Sequence, residues 1–201
     1  MKTIRRAIYI FVCILPPVLF CMCSGRLMLP LAIAVFVHEL AHLAALWVFG
    51  GKLRSFKPAP FGLCMEFDES SLSLLGEGIV SIAGCVANVL SAALSIAIDK
   101  LFSIDTSAFF TVSLLLAMLN SIPTEPLDGG RLLKIIITAR YGPFVACRVM
   151  AVVTYMFGFA IFLLASYMLL VSASGIYPLL FSIYIFAGNA KTLEKVFLEE
   201  N

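Results

Sequence analysis

Long apolar stretches are the main pattern along this chain. A helix needs about twenty predominantly apolar residues to cross a bilayer. The fourth such stretch is interrupted by Pro123, Pro126 and the pair Gly129–Gly130, and the sixth is short. The pattern predicts an all-α polytopic membrane protein with about six transmembrane helices. The apolar runs lie at about 4–23, 27–49, 75–98, 107–139, 144–171 and 175–190.

A short segment between the second and third runs has a different period. In residues 61–68, Phe61, Leu63, Met65 and Phe67 alternate with smaller or polar residues. Strict alternation is typical of a half-buried strand. We therefore expect a short β segment here, within an otherwise helical chain.

The composition agrees with a membrane protein. Of the 201 residues, 62% are hydrophobic and only 13% are charged, and the mean hydropathy is +1.05. Soluble domains are nearer half apolar and a quarter charged. We expect a single domain over residues 1–201. The net charge of +2 says nothing useful about partners, and no nucleic-acid partner is expected.

The basic residues predict the orientation of the spans. Six spans place both termini on one side, and twelve of the fourteen Lys and Arg residues then fall on that side, leaving Arg26 and Lys100. Cytoplasmic connections carry the excess of basic residues, so both termini are expected in the cytoplasm. No small-residue cleavage site follows the first run, which is therefore predicted to be a retained helix.

Two histidines in the second run carry the first chemical signal. Residues 38–42 read HELAH, and His38 and His42 are the only histidines in the chain. Residues four apart on a helix share a face, so both imidazoles can hold one metal ion. Glu39 can act on a metal-bound water. Since polar groups within a bilayer are costly and usually functional, the motif indicates a metal-dependent hydrolase; hydrogen-bonded core histidines are the alternative.

Catalytic zinc commonly has three protein ligands, so a carboxylate or a cysteine must join the histidines. Asp128 lies in the interrupted fourth run, about 18 Å of helix from Arg140, whereas the histidines lie about 12–18 Å from Gly50. These depths are compatible. A helix broken by proline and glycine is tolerated within a membrane beside protein or water. Asp128 is the predicted third ligand, and the alternative is a turn residue.

The six cysteines are interpreted as apolar fillers, and no second pair supports a metal or redox role for Cys21 and Cys23.

The motifs together resemble a known family. Residues 38–42 (HELAH), combined with residues 120–129 (NSIPTEPLDG), resemble the site-2 protease family of intramembrane zinc metalloproteases, the M50-like peptidases. The second segment fits that family's Asn-x-x-Pro…Asp-Gly pattern. Residues 83–88 (AGCVAN) resemble its Gly-x-x-x-Asn motif in a core helix. The motif-bearing core covers about residues 27–140.

The resemblance implies roles for individual residues. One Zn²⁺ per chain is expected on His38, His42 and Asp128, with Glu39 as general acid and base. Substrate contacts are expected at Asn120, Asn88, Pro123 and Gly62. For the two asparagines, the alternative is a buried amide that bonds helix to helix.

The resemblance also implies a function. We expect hydrolysis of a peptide bond in or near a transmembrane segment of a membrane-bound protein substrate, in regulated proteolysis that releases a transcription or signalling factor. The chain resembles the minimal bacterial or sporulation-type members, without a PDZ or CBS domain, in the bacterial cell membrane and with a membrane regulatory partner. The β segment would be membrane-associated and pair with unwound substrate; an amphipathic hairpin without a substrate role is the alternative.

Two departures from the family pattern stand out. Cys85 occupies a position that is often proline, and Glu125 lies between the motif prolines, where an apolar residue is more usual. Two other functions use similar residues. A protease that trims prenylated proteins would take a glutamate such as Glu66 or Glu77 in place of Asp128. A membrane metal transporter or non-catalytic metal-binding scaffold would need acids or histidines in several spans, or would lack Glu39.

Overall fold

The computed structural model describes residues 25–51, 53–59, 62–67, 72–125, 127–172, 176 and 178–186. Residues 178–186 are helical. Two compact units, Met1–Leu119 and Asn120–Asn201, are treated in turn. The remaining elements are α1 (Gly25–Val48), β1 (Leu53–Ala59), β2 (Gly62–Phe67), α2 (Leu74–Phe102), α3 (Ser107–Asn120), α4 (Asp128–Tyr141) and α5 (Pro143–Ser172).

The first unit is organised by α1 packing against α2. On both helices the buried residues recur every four positions, and i±4 ridges of one helix fit the grooves of another. The contacts run antiparallel, since Leu46 packs against Val80 near one end of the interface and His38 meets Asn88 near the other. These rows are Ala34, His38, His42 and Leu46 on α1, and Gly76, Val80, Gly84, Asn88 and Ala92 on α2.

Local signals explain where these two helices end and begin. After α1, Gly50 has a φ of +72°, which costs glycine nothing because it has no Cβ. The Gly50 N–H donates to the Trp47 carbonyl and the Gly51 N–H to the Leu46 carbonyl, the pattern of a Schellman cap. At the start of α2, the Ser73 hydroxyl accepts from the Gly76 N–H, as N-cap serines do.

A two-stranded antiparallel sheet, β1 and β2, connects α1 to α2. β2 falls within the predicted segment 61–68. β1 was missed, because Lys57 and the prolines around Ala59 suggested only a connection. The register pairs Ala59 with Gly62 and Pro58 with Leu63. Proline is tolerated in an edge strand where its nitrogen faces away from the partner, and in a two-stranded sheet each strand is an edge.

In the second unit, the turn before α4 is held to α4 and α5. The Glu125 N–H donates to the Thr154 hydroxyl on α5 at 3.1 Å. The Lys134 ammonium on α4 donates to the Glu125 carboxylate at 2.7 Å. Glu125, the residue that departs from the family pattern, thus joins the turn to α4 and α5. Farther along α5, Gly158 packs against Ile185 and Phe186.

Within the described residues, three helices are long and apolar enough to cross a membrane: α1, α2 and residues Pro143–Val171 of α5. Large apolar side chains such as Trp47 and Leu170 are exposed on them. The chain is therefore a membrane protein. The predicted run 107–139 is divided into α3 and α4, each of 14 residues, about 21 Å long and too short to span a core of about 30 Å alone.

The number of spans stays a prediction. The run 4–23, with Cys21 and Cys23, lies outside the described residues, and so do both ends of the run 175–190. The membrane association of the β segment and the single-domain organisation also stay predictions.

Candidate metal centre

The two histidines of the HELAH segment lie on the face of α1 that packs against α2. His38 is 5% exposed and His42 is 7% exposed. Their rings meet edge to face, with centroids 4.7 Å apart and an interplanar angle of 82°. The two Nε2 atoms lie 3.1 Å apart. The four-residue spacing therefore brings the same nitrogen of both rings to one point, as the sequence predicted.

The Nδ1 atoms face α2, and each has a partner there. His42 Nδ1 lies 2.6 Å from the Val80 carbonyl oxygen. A carbonyl can only accept, so His42 Nδ1 carries the proton and its Nε2 has a lone pair. His38 Nδ1 lies 3.1 Å from the Asn88 carboxamide nitrogen. Because a metal-bound histidine is oriented by the hydrogen bond of its other nitrogen, the contact with the Val80 carbonyl suits His42 as a metal ligand.

Gly84 lies on α2 directly beside the two Nε2 atoms. A Cβ at this position would lie 2.7 Å from Nε2 of His38 and closer still to Nε2 of His42. Any larger residue would therefore occupy the point on which the nitrogens converge. The glycine keeps that point open while α2 stays close enough to hold both rings.

The geometry of the pair fits zinc. Tetrahedral zinc with Zn–N bonds of about 2.0–2.1 Å places two ligand nitrogens about 3.3 Å apart. The observed Nε2 separation is 3.1 Å. The convergent nitrogens, the fixed Nδ1 of His42 and the open face at Gly84 make this a site that zinc can enter without rearranging either helix.

The other predicted site residues occupy distinct places. Glu39 lies half-buried on α1, beside His38 in sequence. Asp128, the first residue of α4, is also half-buried. Asn120 ends α3 and Gly62 begins β2. Pro123 lies in the turn between α3 and α4. The catalytic and substrate roles of these residues stay predictions.

Two contributors to the centre were missed from the sequence. Gly84 was noted only as part of a motif, and nothing in the sequence showed that a side chain at this position would meet both histidines. The Val80 carbonyl belongs to the backbone and has no residue-type signal. Cys85, at a position that is often proline in the family, lies within α2, which runs without a break from Leu74 to Phe102.

Comparison with known proteins agrees with this picture. The chain is 30% identical over 118 residues to a zinc metalloprotease of Methanocaldococcus jannaschii, a match covering 56% of this chain and 34% of the relative. The structure is similar to the solved site-2 protease from the same organism, with a TM-score of 0.70, 24% identity and coverage of 90% of this chain and 88% of that one. The chain is thus similar in sequence to a zinc metalloprotease and similar in fold to a site-2 protease.

The coverage of each match limits what can be concluded from it. The chain spans about a third of the length of the curated relative it matches. The structural match shows that the chain has the site-2 protease fold. No family model matches the chain. The sequence-based resemblance to site-2 proteases is thus confirmed.

A methyl group at Gly84 should weaken metal binding. Overpacking a close-packed site costs about 1–3 kcal/mol, so Gly84→Ala should lower Zn²⁺ affinity by about 5- to 150-fold. Gly76→Ala on the same helix is the matched control, since its Cβ would meet no atom closer than 3.4 Å. Chelator competition on purified protein in detergent measures both affinities. Equal affinity in the two variants would show that the metal does not sit at the histidine pair.

Proposed function

We propose that this chain is an intramembrane zinc metalloprotease that hydrolyses a peptide bond in or near a transmembrane segment of a membrane-bound protein. The observation that carries the proposal is the buried histidine pair, whose Nε2 atoms lie 3.1 Å apart within an apolar helix. The site-2 protease fold and the zinc metalloprotease relative support it. Regulated proteolysis, with release of a transcription or signalling factor, is the process that we propose for it.

One Zn²⁺ per chain is proposed on His38, His42 and Asp128. Two imidazoles and one carboxylate are a common ligand set for catalytic zinc and leave a fourth position open. When bound, zinc supplies Lewis-acid chemistry, which acidifies a water and stabilises negative charge on the scissile carbonyl oxygen. His42 holds its lone pair toward the site because its Nδ1–H donates to the Val80 carbonyl.

Glu39 is the proposed general acid and base. It lies one residue after His38 on α1 and is half-buried. Its carboxylate takes the proton of the attacking water and later returns it to the leaving amine nitrogen. Glutamine has the same size but cannot accept that proton, so Glu39→Gln tests proton transfer without changing the packing around the site. Loss of cleavage in this variant, with zinc retained, would also distinguish a protease from a metal transporter or a metal-binding scaffold.

A helical substrate has to unwind before its carbonyl can be attacked, because helical carbonyls are occupied by hydrogen bonds. Residues of low helix propensity in the substrate would ease that step. The β1–β2 hairpin is proposed to lie at the membrane and to receive the unwound strand along β2, with Asn120, Pro123 and Gly62 along the substrate path.

The register of the hairpin identifies the open edge of β2. Pro58 has no N–H to donate, so the Pro58–Leu63 pair suits a pair without ladder hydrogen bonds, in which both nitrogens face away from the partner strand. Leu63 N–H then faces the open edge. Met65, two residues on, shares that direction, and Cys64 N–H faces β1.

Variants of the centre separate the roles of its residues. Alanine at His38, His42 or Asp128 should strongly reduce bound zinc, measured by metal analysis of purified protein. Glu39→Gln should keep zinc and fold but lower cleavage of a co-expressed transmembrane substrate by about 10²–10⁴-fold. Stoichiometric zinc in Asp128→Ala would remove Asp128 from the ligand set. Retained turnover in Glu39→Gln would exclude the proton-transfer role.

Proline along β2 tests substrate pairing. Leu63→Pro removes an open-edge donor and spares the ladder, whereas Leu63→Ala keeps the backbone N–H. Proline should therefore impair cleavage much more than alanine, with zinc content unchanged in both. Cys64→Pro is the control that removes a ladder bond and disturbs the hairpin itself. Similar cleavage by the proline and alanine variants of Leu63 would make the hairpin a connection without a substrate role.

The orientation in the membrane is also part of the proposal. Both termini are placed in the cytoplasm of a bacterial cell, with a multi-pass arrangement and a membrane regulatory partner. Fusions at Asn201 should be active with a cytoplasmic reporter and inactive with a periplasmic one, because basic residues stay inside. A periplasmic signal from Asn201 would overturn the six-span arrangement.

A further inference from the structure

One polar side chain of α2 contacts the histidine pair and has no ligand role of its own. Asn88 is fully buried, one turn after Gly84 on the same face of α2. Its carboxamide lies 3.1 Å from Nδ1 of His38. At the matching place against His42 stands the Val80 carbonyl. The two rings are thus held by two different groups of one helix, a backbone carbonyl and a side-chain carboxamide.

The difference matters for the proton on each ring. The Val80 carbonyl only accepts, which fixes His42 with its proton on Nδ1. A carboxamide can do either: Nδ2 donates to an unprotonated Nδ1, or Oδ1 accepts from a protonated one. In the first arrangement the proton of neutral His38 sits on Nε2, the nitrogen that faces His42. In the second it sits on Nδ1 and the Nε2 lone pair is free for a metal.

Asn88 can adopt either arrangement within the space it occupies. Oxygen and nitrogen of a carboxamide are similar in size, so a half-turn about the Cβ–Cγ bond exchanges them. Within the described part of the chain, Asn88 Oδ1 has no hydrogen-bond partner. Turning Asn88 Oδ1 toward the His38 ring therefore breaks no hydrogen bond of that oxygen within the described residues.

We propose that Asn88 is a positioning residue that accepts the Nδ1–H of His38 through its carboxamide oxygen and so directs the Nε2 lone pair of His38 at the metal. The proposal rests on the zinc site proposed above and adds a role that the motif does not supply. A substrate contact by Asn88 is a different role, and it would leave metal affinity unchanged.

Three variants test this role. Asn88→Leu keeps the approximate size and removes the acceptor, so the Nδ1–H of His38 is left buried without a partner. Asn88→Asp keeps a carboxylate acceptor, as in the carboxylate–histidine–zinc arrangement. Ser95→Ala is the control, because Ser95 is buried on the same helix and its hydroxyl donates to the Ala92 carbonyl, away from the histidines.

Loss of such an outer partner typically lowers metal affinity by about 10–100-fold. Asn88→Leu should show a loss of that size in Zn²⁺ competition with a chelator, whereas Asn88→Asp and Ser95→Ala should bind close to wild type. The visible d–d spectrum of Co²⁺-loaded protein gives a second measurement. Wild type and Asn88→Asp should share one tetrahedral spectrum, and Asn88→Leu should give a weaker, shifted one.

The outcomes separate this inference from the proposed function. Wild-type affinity and spectrum in Asn88→Leu would overturn the positioning role and leave the zinc site standing. A wild-type chain that binds no Zn²⁺ would overturn both. Equal loss of affinity in Asn88→Leu and Asn88→Asp would mean that Asn88 serves packing, because an acceptor alone then fails to restore the site. Size-exclusion profiles of the variants show which of them are folded.

Discussion

Two buried imidazoles on an apolar helix need hydrogen-bond partners, and the first unit of the fold is arranged to provide them. An unpaired buried polar group costs about 1–3 kcal/mol. Both Nδ1 atoms find partners on α2, one in the Val80 carbonyl and one in the Asn88 carboxamide. The pairing leaves both Nε2 atoms directed at one point. Satisfying the rings and bringing together the two nitrogens of the candidate metal site are therefore the same structural step.

Small residues on α2 make that step feasible. A helix backbone can hydrogen-bond to a ring on its neighbour only if the two helices approach closely, and close approach needs small side chains at the contact. Gly84 stands beside both rings. Leu46 and Val80 are fully buried one turn away, where the helices can fill the space with ordinary apolar side chains. Gly84 is thus small because it lies beside the histidines, whereas Leu46 and Val80, one turn away, can be larger.

The sequence predicted what depends on residue type and short spacing. The four-residue spacing of His38 and His42 predicted their shared face, and the alternation in residues 61–68 predicted β2. Features that depend on backbone atoms or on contacts between distant segments could not be predicted. β1 carries Pro58 and a polar composition, and it forms a strand because β2 lies opposite. The Val80 carbonyl gives no sequence signal at all, and Glu125 gained an explanation only when Lys134 and Thr154 were seen beside it.

The register between α1 and α2 explains why the two motifs have the same internal spacing. The helices are antiparallel, so each step of four residues up α1 matches a step of four down α2. His38 therefore meets Asn88, and His42 meets the stretch from Gly84 to Val80. A shift of one residue would rotate the face of α2 by about 100° and carry Asn88 away from His38. The Gly-x-x-x-Asn spacing of α2 is thus the complement of the His-x-x-x-His spacing of α1. The short motif on each helix has physical meaning only when the other helix is present.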